Sequence, residues 1–150
     1  MIKEPVVIVT GASRGLGAAT ARWLAQVGAA VTLVARSEKM LEKVSGDVDR
    51  LGGRPLRITA DVTDPDACCN AVKMTLNKFG KIDALVNNAG TVQPIATIAQ
   101  TDPSSWRYNI EVNLLGPFYL VHYAVSELRK QNGRIVNVSS GAANLALETI

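Results

Sequence analysis

Three glycines, Gly11, Gly15 and Gly17, punctuate the stretch TGASRGLG, which follows the apolar run VVIVT and opens a helical pattern. Glycine lets a chain turn tightly and admits an anion close to the backbone, and the first amides of the following helix then point at that anion. The spacing is T-G-x-x-x-G-x-G rather than G-x-G-x-x-G, but the physics is shared, and a pyrophosphate is the anion it suits. An ordinary strand–helix turn needs one or two glycines. Three at this spacing favour binding.

The second apolar run, AVTLVA, ends at Ala35 and Arg36 without an acid. A carboxylate about 20 residues beyond the glycine loop would take the ribose 2′-hydroxyl of NAD. A guanidinium instead suits a 2′-phosphate, because it pairs with phosphate through two parallel hydrogen bonds. Arg14, inside the loop, adds a second positive charge. The competing reading of Arg36 is a solvated residue at a helix start, paired with Glu38. NADP(H) is the cofactor expected. Near the other end, RIVNVSS delivers Ser139 and Ser140 into a loop. Adjacent side chains on a strand point to opposite faces, so only one of the two can face a bound cofactor.

The elements that must hold these residues alternate regularly. Short β-branched runs occur at 6–10, 30–35, 56–60, 84–88 and 134–139, with helical spacing between them. Leu16, Trp23, Leu24 and Val27 share one face of the first helix, and Met40, Leu41, Val44, Val48 and Leu51 line the second. Asp64 and Asp102, each followed by proline, read as caps that start the third and fourth helices. In the fourth, over 103–130, Ile110, Leu114, Phe118, Val121, Val125 and Leu128 fall within about 80° of one another at ~100° per residue. Val112, Leu115, Tyr119 and His122 cover much of the other side. A helix apolar on both sides is buried on both. The expectation is therefore a homo-oligomer, a dimer or tetramer through this helix, with His122 packed or at the interface rather than catalytic.

Strands apolar on both faces and alternating with helices predict an α/β fold with a doubly wound parallel sheet of the Rossmann type, in one domain over 1–150. The sheet is expected to be truncated after its fifth strand, which leaves Ile135, Val136 and Val138 on an edge.

Composition narrows the classes. The chain has 150 residues, 47% hydrophobic and 19% charged, with net charge +3 and no basic run. No nucleic-acid partner is expected. No apolar stretch reaches the ~20 residues needed to span a bilayer, so no membrane partner is expected either, and a cytoplasmic location is the default. Cys68 and Cys69 are adjacent, which suits neither a metal site nor a disulfide, and Cys68 reads as core filler. No metal is expected.

Taken in order, TGASRGLG (10–17), ADVTD (60–64), VNNAG (86–90), VNLLG (112–116) and IVNVSS (135–140) resemble the motifs of the short-chain dehydrogenase/reductase family, of its NADP(H)-preferring type. The resemblance spans nearly the whole chain. It implies cofactor contacts from Gly11, Ser13, Arg14, Gly15, Leu16, Gly17, Arg36, Asp61, Val62, Asn88, Ala89 and Gly90, with Asp61 and Val62 near the adenine. It also implies catalytic roles for Ser140, whose hydroxyl positions the substrate oxygen, and for Asn113, which anchors a water in a proton relay. Ser139 matches a position that is usually small. The activity implied is interconversion of a small carbonyl and an alcohol by hydride transfer. Pro117 has no N–H to donate to the Asn113 carbonyl, so a kinked helix is expected to leave that carbonyl able to accept from water.

The family's Tyr-x-x-x-Lys pair is expected about thirteen residues after the serine, three positions past Ile150. None of Tyr108, Tyr119 and Tyr123 has a lysine four residues later. Two readings stand: the N-terminal part of an NADP(H)-dependent oxidoreductase, or a non-catalytic NADP-binding or interaction module. The first is favoured because the motifs are intact up to the final residue.

Overall fold

The computed structural model describes residues 4–141. Five strands form one all-parallel sheet in the order β3-β2-β1-β4-β5, with β1 Val6–Thr10, β2 Ala30–Ala35, β3 Arg54–Thr59, β4 Ala84–Asn87 and β5 Arg134–Asn137. Helices α1 Gly15–Gln26 and α2 Glu38–Arg50 pack on one face. Helices α3 Pro65–Phe79 and α5 Gly116–Lys130 pack on the other. A short helix α4, Pro103–Ile110, precedes α5. The doubly wound parallel sheet expected from the β-branched runs is thus the observed architecture. All residues of β1 and β2 are buried, which accounts for their near-continuous apolar character.

β1 is flanked by β2 on one side and β4 on the other, so the winding reverses there and opens a crevice at the strands' C-terminal ends. The glycine loop follows β1, Arg36 follows β2, Asp61 follows β3, and Asn88 follows β4. Topology alone therefore gathers four of the sequence motifs at one end of the sheet.

The caps form as expected. Asp64 accepts from the N–H groups of Asp66 and Ala67, and Asp102 accepts from that of Ser105. The Ser104 hydroxyl, with the N–H and hydroxyl of Ser105, holds the Asp102 carboxyl below the usual carboxylate range. Cys68 is buried against Val62, and that burial, with Asp64 and Asp61 nearby, pushes its thiol up to about 12. It is core filler, as expected.

Three helix faces differ from expectation: in α2 Leu41, Val44 and Val48 are buried as expected, but Met40 and Leu51, at the helix ends, are exposed. α1 turns Gly17, Ala18, Ala21 and Ala25 to the sheet, while Leu16, Trp23 and Val27 are 60%, 62% and 55% exposed and Leu24 is half-buried. Small side chains let this helix sit close against β1 and β2, so the bulkiest stripe is not the buried one.

The segment over 103–130 is not one uniform α-helix. Residues Glu111–Leu115 form a π-helical turn in which the Gly116 N–H reaches back five residues to the Glu111 carbonyl. That extra residue alters the spacing between α4 and α5, and Val112, Gly116, Leu120, Ala124 and Leu128 face the core. Ile110, Leu114 and Phe118, expected on the same stripe as Leu128, lie outward at 36%, 60% and 58% exposure. His122 is exposed, and its ring stacks on Phe118 with centroids 5.9 Å apart.

β5 forms the edge next to β4, and Ile135, Val136 and Val138 are 41–49% exposed. Among the described residues, no helix is long and apolar enough to cross a membrane.

Candidate active site

The crevice at the C-terminal ends of the strands is a cleft of about 570 Å³. Gly11, Ser13, Arg14 and Gly15 form one wall, and Arg36 lies at the end above β2. Asp61 and Val62 close the β3 side, and Asn88, Ala89 and Gly90 close the β4 side. Ten of the residues singled out in the sequence therefore meet in one cavity.

The glycine loop is braced from behind. Gly11 and Gly15 have φ of +62° and +54°, conformations costly for other residues. A Cβ on Gly17 would lie 2.4 Å from the Gly11 carbonyl oxygen and 2.5 Å from Asn88 Nδ2. Gly17 is thus needed for close approach, and it sits behind the cleft rather than in its lining. Asn88 Nδ2 donates to the carbonyls of Thr10 (2.9 Å) and Gly11 (3.3 Å), so β4 fixes the loop that leaves β1. Leu16 is exposed and also outside the lining.

Arg36 reaches over the rim. Its Nη1 donates to the Tyr108 hydroxyl at 2.5 Å and lies 3.7 Å from Asp61 Oδ2. The alternative pairing with Glu38 does not occur among the ion pairs of the described residues. Asp61 Oδ1 accepts from the N–H and hydroxyl of Thr63, which fixes its carboxylate at the head of the α3 turn.

Asn113 lies in the π-helical turn, outside the cleft lining but with its Oδ1 against Gly90. Its Oδ1 accepts from the Thr91 N–H (2.9 Å), and its Nδ2 donates to the Thr91 carbonyl (2.7 Å) and to Asn109 Oδ1 (2.9 Å). The side chain thus clamps the loop after Gly90. Its backbone is also distinctive. The Gly116 N–H bonds to Glu111 instead of Val112, and Pro117 has no N–H to offer Asn113. The carbonyls of Val112 and Asn113 therefore both lack their ordinary helical donors, through a π turn and a proline together rather than a proline kink alone. Ser140 follows β5, is exposed and lies outside the cleft lining, beyond Val138, whose N–H bonds to the Asn87 carbonyl at 2.9 Å.

A family model described as short chain dehydrogenase matches residues 5–149. The chain belongs to the short chain dehydrogenase family. A curated relative, 11-beta-hydroxysteroid dehydrogenase-like 3 of Arabidopsis thaliana, is 36% identical over 147 residues, covering 97% of this chain and 48% of the relative. Among solved structures, an alcohol dehydrogenase from the archaeon Thermococcus sibiricus, complexed with 5-hydroxy-NADP, superposes with a TM-score of 0.92 at 30% identity. The match covers 97% of this chain and 62% of that one. An NAD+-bound xylitol dehydrogenase superposes with a TM-score of 0.91 at 33% identity, covering 95% of this chain and 55% of that one. The chain spans about half the length of the curated relatives it matches.

Within this family framework the site includes roles and residues that the sequence motifs did not assign. The Thr10 hydroxyl accepts from the N–H groups of Asn88 (2.9 Å) and Ala89 (3.0 Å), stapling the ends of β1 and β4. Thr10 opens the glycine motif, but its pairing with the end of a strand 78 residues away has no sign in the sequence. Asn109 Nδ2 donates to the carbonyls of Thr91 and Gln93 (3.3 and 2.6 Å), and Asn109 sits four residues before Asn113. That spacing was a readable signal, since residues four apart on a helix face each other. Tyr108 stands out in the sequence only as a tyrosine without a lysine four residues later.

The cleft fits a nicotinamide dinucleotide. The glycine loop, packed so closely at its back that Gly17 has no room for a Cβ, lines the cleft together with the two guanidinium groups of Arg14 and Arg36 and the buried side chains of Val34 and Val62.

Proposed function

We propose that the protein is an NADP(H)-dependent oxidoreductase that interconverts a carbonyl and an alcohol. The observation that carries the cofactor choice is the end of β2, where Arg36 occupies the rim and no carboxylate stands to take a ribose 2′-hydroxyl. The relative bound to 5-hydroxy-NADP supports this direction, and the NAD+-bound one shows that the fold by itself does not choose.

In this reading the amides of the glycine loop and the start of α1 hold the pyrophosphate, and Arg14 and Arg36 hold the 2′-phosphate. Gly11, Ser13, Gly15, Leu16, Gly17, Asn88, Ala89 and Gly90 shape or brace the dinucleotide groove, with Asp61 and Val62 at the adenine. NADP(H), when bound, supplies or accepts the hydride. Ser140 positions the substrate oxygen through its hydroxyl. The Asn113 carbonyl, without its helical donor, accepts from a water in the proton relay, and the Asn113 side chain keeps the turn docked on Thr91. The proton donor is assigned to no residue of these 150, which lack a Tyr-x-x-x-Lys pair.

The test uses the full-length protein with a panel of aldehydes and ketones, following NADPH consumption. Turnover with NADPH and a loss of about 100-fold in kcat for Ser140→Ala are expected. NADPH binding without turnover on any carbonyl would instead favour the non-catalytic module.

The outward stripe of Ile110, Leu114 and Phe118 supports assembly through 103–130, as a dimer or tetramer. Mass photometry of the full-length protein is expected to show that species, and monomer alone refutes it.

A further inference from the structure

Arg36 is a long side chain, 69% exposed, at the mouth of a cleft. Left to itself, such a side chain samples many rotamers, and recognising a phosphate would first require ordering it. Two groups reach it in this structure. One is the Asp61 carboxylate, 3.7 Å from Nη1, and the other is the Tyr108 hydroxyl, 2.5 Å from the same nitrogen.

The two holders have opposite consequences. A carboxylate partner neutralises the guanidinium and places a negative charge where an incoming phosphate must approach. A neutral phenol accepts one N–H without cancelling the charge. It leaves the other four donors of the planar fork for a phosphate. Tyr108 is also well placed as a fixed point. It sits on α4, its ring packs against the buried cluster between the sheet and α3 and α5, and it lines the cleft itself. The shorter contact belongs to the phenol that packs on the core, and the longer one to the carboxylate, which is already engaged by Thr63.

We propose that Tyr108 is a specificity-determining positioning residue: its hydroxyl holds Arg36 over the adenosine end of the cleft, ready for a 2′-phosphate. This rests on the NADP(H) reading above. It adds that discrimination between the two dinucleotides is set jointly by the end of β2 and by α4. These two segments lie 72 residues apart in sequence.

The test needs no substrate. Dissociation constants for NADPH and NADH are measured on the full-length protein, on Tyr108→Phe, on Arg36→Ala and on the double variant, by cofactor fluorescence titration. The wild type is expected to bind NADPH at least about tenfold more tightly than NADH. Tyr108→Phe should weaken NADPH by about fivefold, the worth of one hydrogen bond. It should change NADH by less than about twofold, and NADH binding doubles as the control that the variant is folded. In the Arg36→Ala background the same substitution should have no further effect on NADPH, because the two residues act through each other. Equal losses for both cofactors, an unchanged NADPH constant, or the same loss without Arg36 would each overturn the assignment of Tyr108. A wild type without NADPH preference would overturn the cofactor reading itself, a result distinct from all three.

Discussion

Gly17→Ala is expected to abolish useful cofactor binding, weakening NADPH by about 100-fold or more, while leaving most of the sheet intact. The reason is local and steric. The new Cβ would stand 2.4 Å from the Gly11 carbonyl oxygen and 2.5 Å from Asn88 Nδ2, well inside contact distance. Neither neighbour can give way cheaply. The Gly11 carbonyl belongs to a turn already at φ +62°, and Asn88 Nδ2 is committed to the Thr10 and Gly11 carbonyls. Relief must come from moving the start of α1 away from the loop. That shift destroys the cradle, because its amides converge on an anion only when loop and helix are pressed together. Overpacking of this kind also costs about 1–3 kcal/mol of stability.

Gly15 provides the contrast. A Cβ there meets nothing within 4 Å, and its cost is the backbone conformation at φ +54°. Gly15→Ala should therefore be milder, at about 1–2 kcal/mol for an alanine held in the left-handed region. Titration of NADPH fluorescence with both variants, alongside thermal melts, separates the two mechanisms. Gly17→Ala binding within about threefold of wild type would show that the loop tolerates a side chain at its back.

The strands were readable because burial on both faces leaves little freedom in composition. VVIVT and AVTLVA are apolar at nearly every position, and both runs match the observed strands residue for residue. The ends of the strands, and hence the cleft, followed from topology, which places the residues after β1, β2, β3 and β4 together whatever their side chains. Helix faces were less legible. In α1 the buried stripe is alanine and glycine, chosen for close packing rather than bulk, so a search for large apolar residues finds the opposite face. Across α4 and α5 the spacing rule itself changed, because the π-helical turn at Glu111–Leu115 inserts a residue into the repeat. Nothing in VNLLG signals this, and Pro117 just after it explains why the Asn113 carbonyl lacks its ordinary helical donor but not the altered register. Contacts between distant segments, such as Arg36 with Tyr108 or Thr10 with Asn88, have no local signature at all.

The same kind of long-range contact governs the second large effect. Asp83→Ala is expected to destabilise the protein by about 3 kcal/mol, although the residue merely precedes a strand and looks like an ordinary loop acid. Asp83 is 4% exposed. Its Oδ2 accepts from the buried Val6 N–H at 2.8 Å and pairs with Lys81 Nζ at 2.8 Å. Its own N–H donates to the Val6 carbonyl at 2.8 Å, and its carbonyl accepts from the Arg134 N–H at 3.0 Å. One residue thus joins the entries of β1, β4 and β5. Removing the carboxylate strands a buried amide and leaves Lys81 without its partner, and the penalty for a lost acceptor exceeds the worth of an average hydrogen bond.

The Asp83→Asn variant divides that penalty. Asparagine retains an oxygen for Val6 but loses the charge that Lys81 pairs with. Because Lys81 is 28% exposed and can turn to water, Asn should recover about half of the loss. Urea denaturation of the full-length protein reads both values from the midpoint shift at constant slope. If Asn proves as damaging as Ala, the ion pair rather than the amide bond carries the effect. If neither shifts the midpoint, the strand entries are held by the ladder alone. The expected ordering has a functional corollary. The strands that Asp83 joins at one end of the sheet carry the glycine loop, Asn88 and Ser140 at the other. Asp83→Ala should therefore lower NADPH affinity only through the fraction of unfolded protein, with the constant restored where the fold is saturated by cofactor.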